Sequence, residues 1–209
     1  MDISIIVPLY NEDESIPELF SWIKRVMTEN GFSYEVIFVD DGSTDNSWAI
    51  IENLQNENSN VKGIKFRRNY GKSPALFCGF KMAQGDYVVT MDADLQDPPE
   101  KLFEMYDLIT NEGYDCVATR RVTRKGEPKI RSFFARQFYK IINKLSNIEI
   151  VDGARDFRLM TRQMVDAIIS MGEYNRYSKG IFSFVGFNTK WIDYIPPQRV
   201  AGKSKFNFI

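Results

Sequence analysis

The sequence predicts an α/β fold with a mostly parallel central sheet flanked by helices, and three observations predict it. Short apolar, β-branched runs alternate with stretches of helical periodicity through residues 1–119, the order that βαβ crossovers produce. The runs are nearly continuous rather than alternating, as strands covered on both faces must be. Polar, acid-rich loops follow them, at the strand ends where open α/β sheets bind ligands.

Ile3-Ser4-Ile5-Ile6-Val7 reads as a central strand stopping at Pro8, and Pro8-Leu9-Tyr10-Asn11-Glu12 as its loop. Ser15 to Glu18 spells a capping box, after which Ile16, Leu19, Phe20, Ile23, Val26 and Met27 recur at helical spacing. Tyr34 to Val39 is a second strand, Asp40-Asp41-Gly42-Ser43 its loop, and Thr44 the cap of a helix running to Gln55. Val61 to Phe66 is a third strand, leading into Arg67-Arg68-Asn69-Tyr70-Gly71-Lys72. Ser73-Pro74 then opens a helix that ends at Gly85.

Tyr87 to Met91 is the fourth strand, followed by Asp92-Ala93-Asp94-Leu95-Gln96. Two carboxylates and an amide carbonyl separated by single residues offer only hard oxygen donors, which suit Mg²⁺ or Mn²⁺ bridging to phosphate. Asp97-Pro98-Pro99-Glu100 reads as a helix cap with proline in the first turn. Asp115 to Thr119 is a further strand, and Arg124 to Pro128 a loop. Residues 129–145 form a basic, aromatic-rich amphipathic pattern that suits packing on the core, contact with a membrane surface, or both. Asp156-Phe157-Arg158 precedes a helical stretch from Gln163 to Met171. Phe182–Phe187 and Trp191–Ile195 fit either strand or helix edge, and Arg199 to Phe206 is a basic segment fit to close over phosphates.

At 209 residues one domain is the default. The net charge of -1 hides an acidic half, 1–119, and a basic half, 120–209, suited respectively to a metal and to phosphates or an anionic surface. With no histidine, acid–base chemistry falls to carboxylates and any metal to oxygen. Cys78 and Cys116 lack ligand spacing and read as buried free thiols. No apolar run reaches the ~18 residues of a membrane span and no signal peptide opens the chain, so a soluble, cytosolic chain is expected. Neither a dinucleotide fingerprint nor a Walker loop is present. Nucleic-acid motifs are absent too.

The stretches Val7-Pro8-Leu9-Tyr10-Asn11-Glu12, Asp40-Asp41-Gly42-Ser43-Thr44-Asp45, Asn69-Tyr70-Gly71-Lys72, Asp92 through Glu100, Asp156-Phe157-Arg158-Leu159, and Arg199 with Gly202-Lys203-Ser204-Lys205 resemble the family 2 inverting glycosyltransferases of GT-A fold. The resemblance is to the polyprenyl-phosphate branch. It implies one catalytic domain over 1–209, with a Rossmann-like nucleotide-binding half. Pro8, Tyr10, Glu12 and Asp40 would hold base and ribose of a UDP- or GDP-sugar, with Asn11, Lys72, Arg199 and Lys203 also at the donor. Asp94 and Gln96 would ligate Mg²⁺ or Mn²⁺, and Asp92 would lie by the ribose or the metal. Asp156 takes the catalytic-base position, Asp94 and Arg158 would join it in catalysis with Arg158 also serving the phosphates, and Arg120, Arg124 and Arg131 would meet the acceptor phosphate.

The resemblance further implies a lipid-linked phosphate acceptor and action at the cytoplasmic face of the cell membrane. Contact with the membrane would come through residues 129–145 or a missing C-terminal segment, since members commonly continue into membrane helices. Homo-oligomerisation stays open. Transfer to a saccharide hydroxyl, or nucleotide-sugar binding without catalysis, are the alternatives. Arg155 stands where members often carry glycine, which changes the charge beside Asp156. A phosphomonoester has a second pKa near ~6 and hardly needs deprotonating, so Asp156 is expected to orient Arg155, Arg158 or a nearby lysine.

Overall fold

A computed structural model describes residues 1–121, 151, 153–171 and 178–194. Among the described residues seven strands form one sheet: β1 (Ile3–Leu9), β2 (Tyr34–Asp40), β3 (Val61–Lys65), β4 (Tyr87–Thr90), β5 (Cys116–Arg121), β6 (Ala154–Thr161) and β7 (Thr189–Tyr194). The helices described are α1 (Ile16–Glu29), α2 (Ser47–Glu57), α3 (Lys72–Met82), α4 (Lys101–Glu112), α5 (Arg162–Ser170) and α6 (Ser178–Phe184). None is long and apolar enough to cross a membrane. The strands lie in the order β3-β2-β1-β4-β6-β5-β7. Only β6 runs antiparallel to its neighbours, β4 and β5, so the mostly parallel sheet expected from the sequence is present. Residues 129–145, the Arg124 loop and the Arg199–Phe206 segment lie outside the described residues.

Apolar side chains fill both faces because successive strand residues point to opposite sides. Ile5, Val7, Phe38, Val89 and Leu159 pack under α1, α2 and α4. Ile6, Ile37, Val39, Val88 and Met160 pack under α3, α5 and α6. Ser4 is buried on this second side, where its hydroxyl donates to Glu35 Oε1 and accepts from the Gly85 N–H. β1 extends past the expected stop at Pro8. The β4 register ends at Ile6↔Thr90, and Pro8 faces the same side as Ile6, where no β4 partner remains to need its missing N–H.

β1 has β2 on one side and β4 on the other, so the topology switches direction between β1 and β4. The loops after two such strands part and open a crevice. Local signals around it yielded to tertiary partners. The Ser15 hydroxyl donates back to Glu12 rather than closing a box with Glu18. Thr44 precedes α2, whose cap position is Asn46, and α3 starts at Lys72 and stops at Met82, short of Gly85. Glu100, not Asp97, precedes α4, and its carboxylate accepts from Trp22 and Arg25 of α1. Both cysteines are free, but Cys78 is only half-buried, being on the solvent-side edge of α3.

Gly42 is where the β2 loop meets the β3 loop. Its φ is +76°, and a Cβ there would sit 2.5 Å from the Arg68 carbonyl carbon. Backbone cannot yield as a flexible side chain can, and the left-handed conformation adds its own cost. Gly42→Ala is therefore expected to lower stability by about 2 kcal/mol or more, read from urea unfolding midpoints.

Candidate active site

The β1 and β2 loops are laced together at the crevice. Asn11, at φ 54°, donates its N–H to Ser43 Oγ (2.8 Å) and accepts the Thr44 N–H on Oδ1 (2.7 Å). The Glu12 N–H reaches Ser47 Oγ at 2.9 Å. The Asn11 side chain thus braces the next loop. Asp40 is fully buried; Oδ1 accepts the Ser43 N–H at 2.8 Å, while Oδ2 has no hydrogen-bond partner among the described residues. An unmade acceptor in a buried place is costly, and a ligand N–H or O–H would relieve it. Pro8 is buried beneath this loop pair, with Tyr10 and Glu12 half-buried after it.

Asp41 accepts the N–H groups of Tyr70 (2.7 Å) and Gly71 (2.8 Å). That clamp fixes the turn before α3, where Gly71 has φ +95°, and delivers Lys72 as the first helical residue. The Lys72 ammonium pairs with Asp92 at the end of β4 and with Asp156 Oδ2 of β6 at 2.6 Å. Burial disfavours its charge, but the two carboxylates hold its pKa above the ordinary lysine value. The Thr90 hydroxyl donates to the Asp156 carbonyl and locks β6 to β4 beside this pair.

Accessibility alternates along the β4 loop. Asp92, Asp94 and Gln96 are accessible, whereas Ala93, Leu95 and Asp97 are 4%, 3% and 1% exposed. Asp97 anchors the inner side: it accepts the Asp92 N–H (2.8 Å) and Arg155 Nη2 (3.2 Å). The Tyr194 hydroxyl lies 3.0 Å from Asp97 Oδ1 and 3.1 Å from Gln96 O, its single hydrogen divided between them. Burial, then the charge of Asp92, push the Asp97 carboxyl up to about 6, against the pull of Arg155. Burial and Asp97 likewise raise Tyr194, which stays a donor. Leu95 sits at φ 61°, a conformation a leucine holds only where its surroundings impose it.

Among the described residues no three carboxylates or thiols converge as a protein-only metal cage. Asp92, Asp94 and Gln96 form an incomplete hard-oxygen set instead. Mg²⁺ and Mn²⁺ use one or two carboxylates with substrate phosphates completing the shell, so the residues fit such an ion.

The structure joins Lys72 to Asp92 and Asp156, and Asp94 and Gln96 follow Asp92 on the same loop with accessible side chains. Other expected residues stand apart. Arg158, 3% exposed, donates to the Arg155 carbonyl and stacks 3.8 Å over Phe182, beside a cavity of about 210 Å³ lined also by Thr189 and Trp191. Arg120 is engaged by Asp193 of β7. Arg124, Arg131, Arg199 and Lys203 lie outside the described residues. Sequence reasoning missed Arg155 and Tyr194 as supports of the β4 loop and read Asp97 as a helix cap. Contacts across 58 and 97 positions leave no local signal.

The model of the family described as glycosyl transferase family 2 matches residues 4–169. A putative glycosyltransferase of Bacillus subtilis is 41% identical over 99% of this chain and 62% of its own. A prophage bactoprenol glucosyl transferase homolog of Escherichia coli is 38% identical over 99% of this chain and 67% of its own. The chain spans 65% of a similar uncharacterized glycosyltransferase of Synechocystis. Among solved structures, glucosyl-3-phosphoglycerate synthase of Mycobacterium tuberculosis, in complex with Mn²⁺, UDP and glucosyl-3-phosphoglycerate, matches with TM-score 0.65 and 21% identity over 96% of this chain and 73% of its own. That likeness is one of fold.

Protonating Asp97 is easier in the folded chain than in the unfolded one. Its contribution to stability is therefore complete below about pH 4 and is lost as the pH rises through about 6. In metal-free protein, the stability of wild type relative to Asp97→Asn is expected to fall by on the order of 2 kcal/mol across that window. Urea titrations of both proteins at stepped pH read the difference.

Proposed function

Because this chain belongs to glycosyl transferase family 2, we propose that it moves a sugar from a nucleoside-diphosphate sugar to a polyprenyl phosphate, with inversion at the anomeric carbon, at the cytoplasmic face of the cell membrane. The observation that carries this reading is the pairing of Lys72 with Asp92 and Asp156 at the β1/β4 switch point, on a loop whose next alternate side chains, Asp94 and Gln96, are also accessible. Relatives named for bactoprenol glucosyl transfer support the lipid acceptor.

Asp40 supports the nucleotide end of the site. Its unmet Oδ2 suits an N–H of the base, while Pro8, Tyr10 and Glu12 flank the same crevice. Asp94 and Gln96, with Asp92 beside them, would hold Mg²⁺ or Mn²⁺. Such an ion, when bound, neutralises charge gathering on a departing diphosphate, where stabilisation lowers the barrier most directly. The chain's own part is to keep these oxygens in place, which Asp97, Arg155 and Tyr194 do from behind.

Asp156 orients rather than deprotonates. Its carboxylate is 2.6 Å from the Lys72 ammonium, and a phosphate acceptor is already mostly dianionic, with a second pKa near ~6. The pair gives the site a fixed cation whose third donor, beyond those given to Asp92 and Asp156, suits a phosphate oxygen.

Two measurements test this reading with labelled UDP- or GDP-sugar, a polyprenyl phosphate and an oligosaccharide as competing acceptors. Asp94→Ala is expected to lower turnover by ~10²-fold or more with unchanged unfolding midpoint, and label is expected only in the lipid. Asp156→Asn is expected to keep transfer to the lipid phosphate within about 100-fold of wild type, the range usually ascribed to one positioned general base at its lower end. Complete loss with both substrates still bound would make Asp156 the base.

A further inference from the structure

Lys72 is held more tightly than a side chain waiting for substrate needs to be. Its helix starts at a turn that the buried Asp41 clamps through two backbone N–H groups, and its ammonium is gripped by Asp92 of the loop after β4 and by Asp156 of β6. The Asp92 grip falls on one of the oxygen-bearing side chains that fit a divalent ion. A carboxylate paired with an ammonium is partly neutralised, and an incoming dication at that carboxylate meets the ammonium's repulsion at a few ångströms, where like charges interact strongly.

We propose that Lys72 is the resident cation of this site: a positioning residue that occupies Asp92 until metal and nucleotide arrive together, then gives up Asp92 while keeping Asp156. The inference rests on the metal-dependent reading above and concerns the order in which the site fills. Metal alone must displace a tethered ammonium with no compensating anion. With a diphosphate present, phosphate oxygens supply that negative charge and accept the N–H that Lys72 withdraws from Asp92. An ammonium has three donors and no acceptor, so nothing is left unpaired by the exchange, and Asp156 still aims the side chain.

The test measures Mn²⁺ binding, by loss of the free-ion paramagnetic resonance signal, to wild type, Lys72→Met and Lys72→Arg, with and without UDP. Without UDP, Lys72→Met is expected to bind Mn²⁺ at least about tenfold tighter than wild type, and Lys72→Arg as weakly as wild type. A merely structural lysine, or one that only touches the donor, would not tighten metal binding in the absence of nucleotide. Equal or weaker binding by Lys72→Met without UDP overturns the proposal while leaving the metal reading intact if wild type binds Mn²⁺ with UDP. Failure of every protein to bind Mn²⁺ even with UDP overturns the metal reading itself. Should Lys72→Met not fold, the wild-type ¹³Cε resonance of Lys72, assigned by its absence in Lys72→Arg, decides: it is expected to shift with Mg²⁺ and UDP together and not with Mg²⁺ alone. A resonance unmoved by both together overturns the proposal.

Discussion

The candidate site depends on one buried carboxylate. Asp97 collects a backbone N–H from its own loop, a guanidinium from the start of β6 and a phenol from the end of β7. Removing one partner of such a buried charge typically costs about 3–5 kcal/mol, so the loop cannot easily take another course. That constraint explains why Leu95 tolerates φ 61° and why Asp92, Asp94 and Gln96 are turned out while their neighbours are turned in. Preorganised oxygens need not rearrange when charge develops on a leaving group, and this is where electrostatic catalysis gains most.

In front of that anchor lies a balance of charge. Asp92 and Asp156 would repel each other across the crevice were Lys72 not between them. Asp41, two loops away, sets where Lys72 stands by holding the turn that precedes it. A chain with no histidine has thus arranged its acids and one lysine so that each fixes another. The chemistry proposed here asks for charge neutralisation and orientation, not for a proton acceptor, and the observed pairing suits that demand.

Much of this was legible in the sequence, for reasons that differ by residue. Strands such as Ile3–Leu9 and Tyr34–Asp40 announce themselves because burial on both faces demands continuous apolar runs. Asp92, Asp94 and Gln96 stood out because clustered carboxylates at a strand end have no packing use. The reversed direction of β6 left no mark, since strand direction is not written in apolar pattern. Asp97 was read as a cap because its local context, two prolines and a glutamate, is that of a helix start. A half-buried arginine and a buried tyrosine brought from far along the chain offered it better partners. Ser15 does stand at the N-cap of α1, but its hydroxyl turns back to Glu12, and Thr44, two residues ahead of the cap of α2, turns its hydroxyl to Asn11. Arg158, read as a phosphate ligand from its place in a motif, stands buried against Phe182, because alternation along β6 turns its side chain under α6.

The central claim is that the β4 loop, braced by Asp97, holds a divalent cation against a nucleotide diphosphate. A crystal structure of the protein grown with Mn²⁺ and UDP, with anomalous scattering used to locate manganese, tests it most directly. The account predicts an anomalous peak bonded to Asp94 and Gln96 oxygens and to the diphosphate, with Asp97 still held by Arg155 and Tyr194. Manganese absent from that loop while UDP occupies the crevice would contradict it.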